Sequence, residues 1–332
     1  MNVSLFRLLR ERQPTALVTA LVRSPEAGSM LLHAGLAHDI ALLPWTGSRL
    51  DRLRSFWRLR PRRFDVAFIA TMNSWHFAAA ARWFAGVPLV VSDDDHPLTR
   101  LSATVVARAP RAHRFVANGA LLQLLLGNID DAAIAACDSR ISLGPPSPAA
   151  EALLCRLRDT AGPIVALHLG SASQPIKRLP ADLATEAVCE LLRAVPRATI
   201  LYIQGSPDPP HAKLPLALRE RTVEVVGLPV NDLLHVLQAC GAVLTGDTGI
   251  AHLAAAVGTR VVVAGGPTDV ERTRPWGDAH AVVTSRAPPA CMPCYGTPTY
   301  DDDACPHSRA CLTTIRAADL AAALLDGPSL SR

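Results

Sequence analysis

The stretch Gly246-Asp247-Thr248-Gly249-Ile250-Ala251-His252-Leu253-Ala254-Ala255-Ala256-Val257-Gly258 decides the fold. Before it, "GAVLTG" (241–246) is apolar and reads as a strand. The alanine-rich run within it reads as a helix reaching Val257, and "RVVVAGG" (260–266) reads as the next strand. The chain therefore places its polar and flexible residues where a strand hands over to a helix. In open α/β sheets, ligands bind outside the carboxyl ends of the strands. The first N–H groups of such a helix lack intrahelical partners, and the helix dipole adds partial positive charge there. Gly249 lets an anion approach the backbone, and Thr248 supplies a hydroxyl, which together suit a phosphate. Asp247 would repel phosphate and is assigned to hydroxyls of a sugar or ribose. A plain helix cap by Asp247 or Thr248 is the competing reading, and the turn alone leaves both open.

Outward from the turn, apolar runs alternate with helical stretches. Towards the N-terminus, "TALVTALVR" (15–23), "DIALLPW" (39–45), "FDVAFIAT" (64–71) and "VPLVVS" (87–92) read as strands, and "NSWHFAAAARWFAG" (73–86) as a helix. Beyond the middle of the chain, "PIVALHLG" (163–170), "ATILYIQG" (198–205) and "TVEVVG" (222–227) are strands. "ADLATEAVCELLRAV" (181–195) and "NDLLHVLQAC" (231–240) are helices. Such alternation argues for parallel sheets flanked by helices. The nearly continuous apolar runs fit strands buried on both faces. "SLGPPSPAA" (142–150) breaks the rhythm with three prolines and a glycine, so a linker without helix is expected there. The expected organisation is an α/β chain of two doubly wound, Rossmann-like domains, 1–141 and 151–332, joined by that linker. One large α/β domain is the alternative that the break disfavours.

At 332 residues the chain can bury two cores, and 49% hydrophobic with 19% charged residues excludes a disordered chain. The net charge of +4 is mild and carried almost wholly by arginine. No basic run is dense enough for a nucleic-acid arm. No segment has the ~20 apolar residues that span a bilayer. "MNVSLFRLLRERQP" lacks a signal peptide's apolar region and reads as an amphipathic helix with Leu5, Leu8 and Leu9 on one face. A cytoplasmic protein is expected, with at most peripheral contact to the inner face of an inner membrane, and with reduced or metal-bound cysteines.

Two further strand ends carry candidate residues. "ALHLGSASQPIKRLP" (166–180) offers Gly170, Ser171 and Ser173, then Lys177, one of only two lysines in the chain. A lysine just past a Gly/Ser loop is a fitting partner for a diphosphate. "GGPTDVERTRPWG" (265–277) supplies a third strand-end loop. The spacing Cys291-x2-Cys294-x10-Cys305-x5-Cys311 could give a tetrahedral four-sulfur site, with His307 as a substitute ligand. Zinc is the first candidate ion and iron the second, in a structural role. Four reduced thiols remain the other reading. Cys137, Cys155, Cys189 and Cys240 lie in apolar helical patterns and read as core residues. A zinc-ribbon nucleic-acid binder is disfavoured, because "TYDDDAC" (299–305) makes this segment acidic.

"GDTGIAHLAAAVGTRVVVAGGPTDVERTRPWG" resembles the signature of the family 9 glycosyltransferases, among them the ADP-heptose:lipopolysaccharide heptosyltransferases. "HLGSASQPIKRLP" is similar to that family's HPGAS-x-x-x-K-x-W-P loop, with Leu179 where tryptophan is usual. "CMPCYGTPTYDDDACPHSRACLTTI" resembles the cysteine-bearing segment that many members carry next. "LRPRRFDVAFIATMNSWHFAAAARWFAGVPLVV" is similar to the strand and helix of the family's N-terminal domain. The resemblance is specific over 163–316 and loose before that.

It implies a GT-B fold with the active site between two Rossmann-like domains. It implies an inverting transfer from a nucleoside-diphosphate sugar, ADP-heptose first and a UDP- or GDP-sugar otherwise. The acceptor would be a lipopolysaccharide core, another lipid-linked or surface glycan, or a protein. Lys177 would contact donor phosphate, and Asp247 the donor sugar hydroxyls. Thr248 and Gly249 would hold the diphosphate, with His252 in the same motif. No catalytic cofactor is implied, since Lys177 and the helix terminus stabilise the leaving diphosphate in place of a divalent ion.

Family members usually begin with a strand and a GD-x5-P loop that carries the general base. The sequence begins inside what resembles the following helix, so that strand and loop are expected to be missing. Either the start lies upstream of Met1, or the base comes from elsewhere, or the chain binds nucleotide-sugar without turnover. Candidate bases are His76, after a strand, and Asp94 in the cluster Asp93, Asp94, Asp95 and His96.

Overall fold

The computed structural model describes the chain apart from residues 1, 44–47, 71–74, 95, 106–111, 128, 171–173, 206–217, 219–220, 295–296, 298–304, 328–329 and 331–332. The chain divides into two compact units, Met1–Ser142 and Leu143–Arg332.

The first unit opens with helix Val3–Arg12, whose Leu5 and Leu8 are buried as its amphipathic pattern requires. Strands β1 (Thr19–Val22) and β2 (Asp39–Leu42) pair in parallel, Thr19 opposite Asp39. Strands β3 (Val66–Ile69), β4 (Leu89–Ser92) and β5 (Thr104–Val105) form a separate parallel sheet in that order. The expected single doubly wound sheet is therefore divided in two among the described residues. All five strands have four residues or fewer, and β3 has no fully buried residue. One core gathers Leu5, Leu8, Val91, Leu121, Leu122 and Ile134. Another surrounds Phe56, Ala78 and Val90. The helix expected over 73–86 runs over Trp75–Ala79 and then widens into a π-type turn over Ala80–Phe84. Asp93, just past β4, pairs with Arg114 at 3.3 Å, both side chains being buried.

The second unit begins at the proline-rich stretch, which packs onto helix Val230–Gln238. Asp232 accepts from both the backbone N–H (2.9 Å) and the hydroxyl (2.7 Å) of Ser147. Asn231 donates to the Pro145 carbonyl, and His235 hydrogen-bonds the Gly144 carbonyl. Helix Pro148–Arg158 then starts inside the stretch expected to lack helix. Proline at the first helical position loses no hydrogen bond, and the Ser147 hydroxyl caps the Ala150 N–H.

Its sheet has six parallel strands: β6 (Ile164–His168), β7 (Thr199–Gln204), β8 (Thr222–Val226), β9 (Ala242–Gly246), β10 (Arg260–Gly265) and β11 (Ala281–Thr284). Their spatial order is β8-β7-β6-β9-β10-β11, the order 3-2-1-4-5-6 of a dinucleotide-binding sheet. Every residue of β6 and β9 is buried, whereas edge strand β8 buries only Val225. Helices Ala181–Ala194 and Ala317–Leu325 pack together, and Leu183, Ala187, Leu191, Leu320 and Leu324 join the core under the sheet. The order reverses between β6 and β9, so the crevice for a ligand opens at the ends of those two strands.

His280 precedes β11, and its Nδ1 accepts from the Val261 N–H at 3.2 Å. Burial lowers its pKa to about 4, against about 6.5 for an unfolded histidine. The unfolded chain then binds the extra proton between these values, so stability is lost as pH falls from about 6.5 to about 4. The slope contributed is up to ~1.4 kcal/mol per pH unit. Urea unfolding at pH 7 and pH 5 should register this loss, and His280→Gln should reduce it.

Candidate functional site

The two strand ends at the reversal bring together residues seventy positions apart in sequence. After β6, the backbone passes the buried Gly170 and makes a 3-10 turn over Pro175–Lys177. It returns to the sheet when the Leu179 N–H bonds the Leu169 carbonyl at 3.1 Å. Leu179 itself is buried in the core. Ser171 and Ser173 lie outside the described residues.

β9 ends at Gly246, and a Cβ built there would lie 2.6 Å from the Lys177 carbonyl oxygen. Only glycine lets the two loops approach this closely. Asp247 follows and is 7% exposed. Its Oδ2 lies 3.8 Å from Lys177 Nζ, and its Oδ1 lies 4.0 Å from His252 Nε2. These separations are too long for hydrogen bonds, so the three groups converge without closing on one another. The hydroxyl of Thr273 does bond the carboxylate, at 3.1 Å to Oδ2. Thr273 ends the short helix Val270–Thr273 in the third strand-end loop, and its hydroxyl also donates towards the Asp269 carbonyl at 3.0 Å. Sequence reasoning marked that loop but not this residue, because a threonine in a helix carries no signal of what it faces.

Helix Gly249–Ala256 starts beside this carboxylate. Thr248 is extended at its N-cap, and no side chain caps the helix. The Thr248 hydroxyl instead hydrogen-bonds Thr245 Oγ1 at 3.1 Å. The plain-cap reading of Asp247 and Thr248 is thereby set aside. An added Cβ on Gly249 would meet nothing within 4 Å, so open space lies over the first turn. A lysine, a histidine and open helix N–H groups suit a diphosphate, and a buried carboxylate beside them suits hydroxyls.

The first unit holds the two candidate bases. His76 packs edge-on to Trp75 with ring centroids 5.7 Å apart, and lies 4.2 Å from Phe77. Trp75 also stacks on His96 at 6.3 Å. Burial, and then the Arg52 guanidinium, lower the His76 pKa, because both disfavour the protonated ring. The Asp94 carboxylate accepts from the His96 backbone N–H at 3.1 Å and so shapes its own turn. Asp95 lies outside the described residues.

Cys291, Cys294, Cys305 and Cys311 are near neighbours. Among the described residues, no group of three or more His, Cys, Asp or Glu is placed to hold a metal ion. Cys294 and Cys311 are buried, Cys291 and Cys305 half-buried, and Cys311 joins the hydrophobic core. His307 is exposed. Burial first, and then the neighbouring Cys294, Cys305 and Cys291, push the Cys311 thiol up to about 11. Burial, Cys291 and Cys305 raise Cys294 as well. Of the four other cysteines, Cys240 is buried, Cys137 and Cys189 are half-buried, and Cys155 is exposed, contrary to the expectation of a core residue.

Residues 150–302 match the family model described as Glycosyltransferase family 9 (heptosyltransferase). The chain is 29% identical over 126 residues to lipooligosaccharide heptosyltransferase 2 of Haemophilus influenzae, and the match spans 36% of each protein. Among solved structures, it resembles the family 9 glycosyltransferase of Veillonella parvula, with TM-score 0.73 and 16% identity over 98% of this chain and 93% of that one. It resembles Escherichia coli ADP-heptose lps heptosyltransferase II, with TM-score 0.65 and 18% identity over 85% and 86%. It also resembles E. coli heptosyltransferase WaaC solved with ADP, with TM-score 0.60 and 18% identity over 85% and 88%. At these identities the structures establish a shared mixed α/β fold with parallel sheets. No described helix is long and apolar enough to cross a membrane.

Gly246→Ala is the direct test of the loop contact. The added methyl must displace the Lys177 carbonyl, and overpacking of this kind costs about 1–3 kcal/mol. Thermal unfolding should fall accordingly, with Gly249→Ala close to wild type because its Cβ meets open space.

Proposed function

We propose that this chain is a glycosyltransferase of the family 9 kind, with a GT-B arrangement, that takes a nucleoside-diphosphate sugar on its 143–332 unit. One observation carries the reading. Lys177, Asp247 and His252 converge beside the uncapped start of helix Gly249–Ala256, at the reversal point of a 3-2-1-4-5-6 sheet. The ADP bound in the similar WaaC structure favours an adenosine diphosphate donor, with heptose as its sugar.

In this reading the diphosphate lies against the N–H groups of Gly249 and its neighbours, within reach of the Lys177 ammonium. Asp247 receives hydroxyls of the donor sugar, and Thr273 fixes which way its carboxylate faces. An acceptor hydroxyl attacks the anomeric carbon from the face opposite the diphosphate. The bond to the diphosphate oxygen breaks, and the configuration inverts. Charge develops on the departing diphosphate, where Lys177 and the helix terminus already point, so no divalent ion is needed to hold it. His76 is the proposed base, an imidazole whose surroundings favour its neutral form. Asp94 is second, one oxygen being committed to its own turn. The acceptor is a lipopolysaccharide core, another surface glycan or a protein. We place the enzyme in the cytoplasm, at most peripherally on the inner membrane.

Calorimetry with ADP-heptose, against UDP- and GDP-sugars, tests the donor. Lys177→Ala should weaken ADP-heptose at least ~10-fold, a loss of ~1.4 kcal/mol. Binding of no nucleotide-sugar would sink the reading. His76→Ala should lower turnover about 10²-fold or more while leaving donor affinity unchanged. Full turnover in that variant would remove His76 as the base.

A further inference from the structure

Three contacts join the cysteine-bearing segment to the loops around Asp247, and a fourth lies within the segment. The Arg309 guanidinium donates to the Arg178 carbonyl, one residue beyond Lys177. The Cys294 N–H donates to the Pro267 carbonyl at 3.0 Å, in the loop after β10. In that same loop, a Cβ on Gly266 would meet the Leu312 side chain at 2.9 Å. The fourth contact is internal and sets Arg309 itself: its N–H donates to Cys305 Sγ at 3.4 Å. Ser308 and Arg309 both adopt positive φ, 48° and 57°. Side-chain-bearing residues rarely hold that conformation without surrounding contacts that impose it.

In the Lys177 loop the Lys177 N–H donates to the Gln174 carbonyl and the Arg178 N–H to the Pro175 carbonyl, and the Leu179 N–H rejoins the strand end at the Leu169 carbonyl. On one side the Lys177 carbonyl abuts Gly246, and on the other the Arg178 carbonyl is grasped by Arg309. The two consecutive carbonyls are thus both engaged, immediately after the Cα from which the Lys177 side chain leaves the backbone.

We propose that Arg309 is a positioning residue for the donor site, holding the Lys177 ammonium at its distance from Asp247 through the Arg178 carbonyl. The turn made by Cys305 presents Arg309, so the thiol-rich segment serves the site mechanically and needs no contact with the ligand. This inference rests on the donor reading above. It predicts that the benefit of Arg309 exists only while Lys177 is there to be positioned.

A double-mutant cycle tests it. ADP binding is measured by calorimetry for wild type, Arg309→Ala, Lys177→Ala and the double variant, with thermal unfolding of each. Arg309→Ala should weaken ADP by about threefold to tenfold in the wild-type background, and by less than about twofold when Lys177 is already alanine. Arg309→Lys, which keeps one cationic N–H donor, should recover at least about half of the lost affinity. If Arg309→Ala does not fold, Arg309→Met and Arg309→Gln carry the same cycle. Equal losses in both backgrounds, or ADP affinity unchanged by Arg309→Ala while Lys177→Ala weakens it, would overturn this inference alone. A wild-type chain that binds no ADP would overturn the donor reading and this inference together.

Discussion

The approach of the Gly246 backbone to the Lys177 carbonyl is the constraint on which the site depends. No Cβ fits between them, since one would lie 2.6 Å from that oxygen. Glycine is therefore required there by packing and not by an unusual backbone angle. Because the strand order reverses between β6 and β9, their two loops leave the sheet side by side. The missing side chain lets them touch, and the touch sets how far Lys177 stands from Asp247.

The electrostatics follow from that distance. Asp247 is nearly sealed from water, and a buried carboxylate needs partners. The Thr273 hydroxyl lies within hydrogen-bond distance of it, while Lys177 and His252 stand at 3.8 and 4.0 Å, the lysine near enough to offset charge. A closed ion pair would use up the groups that a ligand must meet. Lys177, His252 and the carboxylate are gathered at one place, beside the start of a helix whose N-cap side chain makes no cap hydrogen bond.

The thiol-rich segment shows how a motif can be read correctly in sequence and differently in space. The Cys-x-x-Cys spacing permits two sulfurs to share an ion. Yet Cys311 is drawn into the core with Leu312 and Ile315, because burying apolar surface favours that placement of its helix. Cys305 instead turns its sulfur to a backbone N–H. Likewise the proline-rich stretch looked like an unstructured join. Asp232, eighty-five residues away, accepts two hydrogen bonds from Ser147 and fastens it to the second unit.

Period and composition were enough to read the alternating strands and helices of the second unit. They also sufficed for the strand-to-helix turn at Asp247 and the strand-end loop that carries Lys177, because buried parallel strands are continuous apolar runs and strand-end glycines interrupt them. The short helices and strands of the first unit were less legible: Thr104–Val105 is two residues long, and too few residues carry a period there. Helix Arg114–Ala120, nearly all buried, shows no polar face to mark it. Thr273, Arg309 and the Asp93–Arg114 pair could not be found in one dimension, since each acts on a partner between twenty-one and 131 residues away. The sequence by itself determined the strand-to-helix turns and the residues they carry. The tertiary structure alone decided which turns meet, because strand order, and not chain order, sets which loops are neighbours.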